Sequence, residues 1–299
     1  MIMTYNMNKF YLIDKPLEIS SFDIIRNLRK SLNTRKIWHT WTLDPLATWG
    51  VILAVNSYTK LIPYLEKDKK EYEFTINLDW TTDSFDLAEK IIFLDEKLQE
   101  KFQKELTREK ISEILKQNFT WKIIQVPPKY SALKINGQRA YKLARAWEEV
   151  KMKSREITIF NIEILDFEYP ELTLKAEVSA GTYIRSIAMD LGDILATGWY
   201  ITKLRRTKIG NIDLSSSNTL EEFDENKTVD IKELFSHMKF IELNDWIMWK
   251  INNWLVVKIG DLELIKQFIV WKDMFVWDWN NITNIVKFDW EYLKAIRKI

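Results

Sequence analysis

The apolar positions of this 299-residue chain change period several times, and each change predicts an element. "KFYLIDKP" is an apolar run that stops at Pro16, as a strand does. In "SSFDIIRNLRKSL", Phe22, Ile25 and Leu28 recur at helical spacing behind Ser20 or Ser21, either of which suits a helix cap. "VILAVNSYTKLIPYL" predicts a short buried run and then a helix, whereas "EYEFTINLDW" alternates and sets Tyr72, Phe74, Ile76 and Leu78 on one strand face. From Glu96 to Gln117 the chain is strongly charged, and Ile111, Ile114 and Leu115 mark one amphipathic helix. "REITIFNIEILDFEY" and "ELTLKAEVS" predict two strands, and "YIRSIAMDLGDIL" a long helix.

This mix, with short turns, predicts an α+β fold whose sheet is mixed and largely antiparallel, flanked by helices. The acidic, polar stretch "SSSNTLEEFDENKTVDIKEL" closes a main domain over residues 1–235. Beyond it, "LVVKIG", "FIVWKDMFVW", "NIVKFD" and "YLKAIRKI" predict a small β-rich domain over 240–299. The apolar runs are too short to span a bilayer, and the N-terminus shows no basic region followed by an apolar core. The expected location is the cytoplasm, without membrane attachment.

Composition adds a puzzle. Seven glycines and fourteen tryptophans together make up the share that glycine alone ordinarily holds, about 7%. Tryptophans also stand where local chemistry asks for glycine. Trp41 and Trp49 lie in the turn-like "HTWTLDPLATWG", and Trp80 follows Asp79 at a turn. Trp147 closes the helix-like "AYKLARA", Trp199 follows Gly198, and Trp290 follows Asp289 between two strand-like runs. A UGA codon that the source organism reads as glycine, written here as tryptophan, accounts for both facts. The competing account is a Trp-rich protein with aromatic stacking sites.

With no cysteine and only His39 and His237, thiolate chemistry, disulfides and a Cys- or His-rich metal site are not expected. Chemistry must rest on carboxylates, hydroxyls, Lys, Arg or Tyr. The net charge is +1, yet three stretches lack acids: 26–36, 129–145, and "KLRRTK" with Lys203, Arg205, Arg206 and Lys208. They suit either a face that tracks a phosphate backbone or solvated helix surfaces. Asp44, between Leu43 and Pro45, is a carboxylate able to act as nucleophile or base without a metal, or simply to cap a turn. A Ser-His-Asp hydrolase is disfavoured because no G-x-S-x-G elbow is present.

With Trp taken as Gly, "HTWTLDPLATWG" closely resembles the catalytic motif of the TruB family, the bacterial tRNA pseudouridine-55 synthases. "YLIDKP" with "SSFDIIRNLR", "QVPPKYSALKINGQRAYKLARA", "GTYIRSIAMDLG" and "LRRTKIG" resemble the family's other blocks in order, across nearly all of residues 9–210. At Trp38, Trp41, Trp49, Trp121 and Trp147 the family pattern has glycine. Departures are Glu18, where a small residue is usual, and Asn56, where the family has glycine.

The resemblance implies a pseudouridine synthase fold with a PUA-like RNA-binding tail. It implies isomerisation of the uridine at T-loop position 55 of tRNA, on a flipped-out nucleotide. By the same resemblance, Asp44 is the nucleophile, Tyr72 stacks on the target base and Arg185 pairs with the aspartate. His39, Lys15, Lys134, Tyr183, Leu204, Arg205 and Arg206 would serve RNA binding, Leu204 as an apolar wall of the pocket. Read alone, Tyr72 is equally a core strand residue, Arg185 a helix surface cation and His39 a loop histidine. No cofactor or metal is expected; the expected partner is the tRNA T-stem-loop, and the protein is expected to act as a monomer. A guide-RNA-dependent synthase and a non-catalytic tRNA-binding or tRNA-folding protein on the same scaffold are the alternatives.

Overall fold

The computed structural model describes residues 8–40, 47–66, 68–81, 92–129, 131, 133–135, 137–140, 143, 146, 152–213, 217–258, 273–278, 281–288 and 292–299. For Trp49, Lys134 and Arg139 only the backbone is described. Strand β1 (Phe10–Lys15) leads into helix α1 (Ser21–Ser31), then β2 (Ile37–His39), β3 (Thr48–Val55), a 3₁₀ helix over Asn56–Tyr64, and β4 (Lys69–Asn77). Short strands β5 (Trp80–Thr81) and β6 (Ile92–Phe93) precede helices α2 (Glu96–Glu105) and α3 (Arg108–Asn118) and strand β7 (Trp121–Gln125). A ribbon of β8 (Lys134–Ile135) and β9 (Gln138–Arg139) is followed by the long hairpin of β10 (Arg155–Glu168) and β11 (Glu171–Ser179). Helix α4 (Ile184–Leu195), β12 (Tyr200–Ile209) and β13 (Ile212–Asp213) complete the main sheet. The remainder comprises α5 (Ile231–Leu234), β14 (Lys239–Ile241), α6 (Asp245–Asn252), β15 (Val257–Lys258), β16 (Asp273–Asp278), β17 (Asn281–Phe288) and β18 (Tyr292–Lys298).

The main sheet runs β1-β3-β12-β4-β11-β10-β7, with β2 on β3 and β13 on β12. Its pairs are antiparallel apart from β12 with β3, so the α+β expectation holds. Strands β1 and β3 are buried on both faces, which is why "VILAV" shows no alternation. Tyr11, Ile13, Val51 and Leu53 face Ile24, Ile25 and Leu28 of α1. Phe10, Leu12, Ile52 and Ala54 face Phe275, Ile282 and Ile285 of the C-terminal sheet, so that sheet is docked through a shared core. The acidic stretch after β13 covers the edge of β1: the Asp14 N–H donates to the Asn218 carbonyl at 2.7 Å, and the Asn218 N–H to that of Leu12 at 2.8 Å. An edge strand left bare would be a template for foreign pairing.

Three local expectations are corrected. Helix α1 is capped by Ser20, whose Oγ accepts the Asp23 N–H while the Asp23 carboxylate accepts the Ser20 N–H. Its inward face is Ile24, Ile25 and Leu28, however, and Phe22 is exposed beneath the guanidinium groups of Arg26 and Arg29. The single helix expected over Glu96–Gln117 is two, because Thr107 leaves helical geometry (φ −123°, ψ 157°) and its side chain caps α3. Helix α6 interrupts the tail, where the pattern predicts strands alone. Among the described residues no helix is long and apolar enough to cross a membrane.

Candidate active site

The centre of the main sheet is built from β4 and β12. Antiparallel register sets Tyr72 opposite Arg206 and Phe74 opposite Leu204. Tyr72 and Phe74 are buried and belong to one apolar cluster with Ala176, Val178 and the α4 residues Ile184, Ile187, Ala188 and Leu191. Leu204, half-buried, packs against the same cluster.

Arg206 has no exposed surface, and its Nη2 donates to the Gly50 carbonyl at 3.0 Å. Burial pushes its guanidinium down to about 10, opposed by the charge of Tyr72 and a hydrogen bond to its side chain. The group stays cationic at neutral pH and ties Tyr72 to Gly50 of β3. Lys70 sits two residues before Tyr72, hence on the same side of β4. Burial, then repulsion from Arg206, pushes its amine down to about 8.

Helix α4 covers this sheet face and carries Arg185 in its first turn, 8% exposed, so Arg185 is not the surface cation that its position alone allowed. Tyr183 is the N-cap residue of α4 and supplies no side-chain cap bond. Its backbone is held by Gln125 and its ring lies against the Arg155 guanidinium.

The other sequence-derived positions are scattered. Asp44 lies outside the described residues, and Lys134 stands on β8 with its side chain outside them. His39 ends β2, half-buried; burial lowers its pKa against the opposing effect of the Thr40 backbone, and its ring lies nearly parallel to that of Trp38. Lys15 is fully buried, and its Nζ donates to the carbonyls of Pro16 and Ile19, both at 2.9 Å. With no exposed surface and two carbonyl acceptors, the Lys15 ammonium braces the β1–α1 loop. Arg205 makes a two-point bridge to Asp14 at 2.7 and 3.1 Å.

Three contributors escaped sequence reasoning. Lys70 was legible from its period-2 spacing to Tyr72. Gln125 and Arg155 carried no comparable signal, because what they touch lies on a distant element.

The TruB family pseudouridylate synthase N-terminal domain matches residues 29–184. The chain is 34% identical over 263 residues to a tRNA pseudouridine synthase B of Clostridium tetani, covering 87% of this chain and 88% of that protein. It is 35% identical over 252 residues to the Aquifex aeolicus protein of the same name, covering 82% and 85%. With the Mycoplasma capricolum protein of that name, identity is 33% over 291 residues, covering 97% and 94%. Among solved structures, a Cbf5-Nop10-Gar1 complex contains a chain that superposes with TM-score 0.67 at 19% identity, covering 97% of this chain and 84% of that one, a likeness of fold alone. With the family domain matched over half its length and relatives above 30% identity spanning most of it, the chain belongs to the TruB family of pseudouridylate synthases.

Proposed function

We propose that this enzyme isomerises a uridine of tRNA to pseudouridine, at position 55 in the T-loop, with Asp44 as nucleophile. The observation that carries the reading is that Tyr72 shares one apolar core with Ile184, Ile187, Ala188 and Leu191 of α4, the helix on which Arg185 is buried. Tyr72, hydrogen-bonded to Arg206 opposite it on β12, offers a held ring for a base drawn out of its helix, and stacking is the sequence-tolerant way to hold such a base. Arg185 is the cation available to keep the Asp44 carboxylate ionised and oriented. Attack by that carboxylate on the flipped nucleotide frees the base from C1′. The base turns and its C5 bonds to C1′; the bond to Asp44 breaks and returns the free carboxylate, C5 gives up its proton and N1 takes one up. The guide-RNA alternative has the weaker support, since the Clostridium tetani, Aquifex aeolicus and Mycoplasma capricolum relatives are each called tRNA pseudouridine synthase B.

The experiment is tritium release from a C5-labelled T-stem-loop RNA. Asp44→Asn is expected to abolish release while RNA affinity stays within a few-fold, and turnover by Asp44→Asn would remove Asp44 from this role.

We further infer that tryptophans here occupy glycine positions. Trp121 and Trp254 are held at φ 62° and 61°, the left-handed region that a Cβ disfavours. Trp254 follows the C-cap Asn253 of α6; its N–H donates to the Ile251 carbonyl at 3.1 Å, and the Leu255 N–H to that of Lys250 at 2.9 Å. That pair of bonds is the Schellman arrangement, whose C′ site is usually glycine. Both tryptophans are exposed, so neither indole is required by a core.

A further inference from the structure

Strands β7 and β10 place Gln125 directly opposite Arg155, and both side chains converge on Tyr183. Gln125 has no exposed surface. Its Oε1 accepts the Tyr183 N–H at 2.8 Å, and its Nε2 donates to the Tyr183 carbonyl at 3.0 Å. A primary amide bonded to both groups of one residue imitates a neighbouring strand and leaves that backbone little freedom. The Arg155 guanidinium carbon lies 4.7 Å from the centre of the Tyr183 ring. Its Nε and one Nη are buried and find no hydrogen-bond partner among the described residues, and the guanidinium faces the ring.

The loop between β11 and α4 is tied at both ends as well. The Thr158 N–H donates to Ser179 Oγ at 2.9 Å, and Ser186 Oγ donates to the Val126 carbonyl at 2.8 Å. Gly181 at φ 87° brings the chain across Arg155, where a Cβ would meet Nη1 at 3.5 Å. Tyr183 begins α4 without a side-chain cap, and an uncapped helix start frays. Gln125 supplies from outside the restraint that the N-cap residue does not.

We propose that Gln125 and Arg155 form a cross-strand cradle of positioning residues. The cradle sets the Tyr183 ring and, through the fixed start of α4, the direction of Arg185 toward the reacting nucleotide. The inference rests on the proposed tRNA uridine isomerisation for its kinetic consequences, but its structural part can be read without turnover.

The test uses Gln125→Glu, which keeps the acceptor and loses the donor, together with Arg155→Met and Arg155→Lys, each alone and in a Tyr183→Leu background. Amide exchange at Tyr183 to Ile187 is expected to quicken about tenfold in Gln125→Glu, the equivalent of one lost buried hydrogen bond. Single-turnover pseudouridine formation in Arg155→Met is expected to fall about a hundredfold, as small misplacements of reacting groups do, with T-stem-loop Kd within a few-fold. Arg155→Lys, which keeps a cation over the ring, should recover part of the rate. In the Tyr183→Leu background Arg155→Met should cost nothing further, because its effect passes through the ring. Unchanged exchange in Gln125→Glu overturns the cradle whether or not the protein isomerises uridine. So does a rate loss from Arg155→Met, or from Arg155→Lys if the Met variant does not fold, that is equally large without Tyr183. Wild-type protein that never forms pseudouridine, with the exchange result as expected, overturns the activity and leaves the cradle standing.

Discussion

Replacing Trp254 and Trp121 by glycine should stabilise the protein. An L-residue held in the left-handed region costs roughly 1–2 kcal/mol. Glycine returns part of that through its larger loss of chain entropy, about 0.5–1 kcal/mol, leaving a net gain of about 0.5–1 kcal/mol per site. Trp121 pairs with Ile159 in the main sheet and Trp254 terminates α6, so the sites share no partner and their effects should add. For a chain of this size the double variant should melt about 2–3 °C higher. Two controls separate backbone strain from mere removal of an exposed indole. Trp254→Ala keeps the Cβ and should gain nothing comparable. Trp249→Gly, in the interior of α6 with the indole exposed, should lose about 0.5–1 kcal/mol. Thermal unfolding of the set decides: equal melting temperatures for Trp254→Gly and Trp254→Ala would refute the strain argument. Peptide mass spectrometry on protein from the source organism tests the codon reading separately, with glycine expected at 121 and 254.

Arg206→Met should lower stability by about 2–4 kcal/mol in urea titrations, since the Gly50 carbonyl and the Tyr72 hydroxyl lose a buried donor; a loss under about 1 kcal/mol would deny Arg206 its anchoring part. Affinity for tRNA should fall steeply with salt. Neutralising the exposed Arg35 and Lys36 should flatten that slope by about one unit for each phosphate left without its cation, whereas Arg205→Gln, already bridged to Asp14, should leave it nearly unchanged. Burial, then the neighbouring Asp193, raises Asp190 to about 6. The native state therefore holds that proton at pH values where the unfolded chain has released it, and stability rises as pH falls through 6. Asp190→Asn should raise the urea midpoint at about pH 7.5, with the advantage fading toward about pH 4; an advantage that does not change with pH would rule out desolvation of the carboxylate as the cause.

The sequence alone determined whatever depends on neighbours a few residues away. Strand β1 ending at Pro16, the capped start of α1, the alternation through Tyr72 to Leu78 and the helix carrying Arg185 all follow from local period and capping chemistry, because side-chain direction repeats every two or 3.6 residues. The family's motif order in this chain pointed to the fold and chemistry at the same stage. Local pattern failed where the decisive partner is remote. "KLRRTK" carries no acid along the chain, yet Asp14, 191 residues earlier, bridges Arg205, and Glu71 of the adjacent strand lies 3.9 Å from Lys208. A stretch that reads as a free basic face is thereby largely neutralised. Helix α2 ends before Thr107 because a cap there competes with continuation, and periodicity cannot rank the two. Gln125 and Tyr183 are 58 residues apart and meet only because β7, β10 and α4 close on one another. Which charges remain free, and which side chains hold the site in place, is set by strand order and docking. These are long-range choices, made by burial of the whole sheet and by no single segment of the chain.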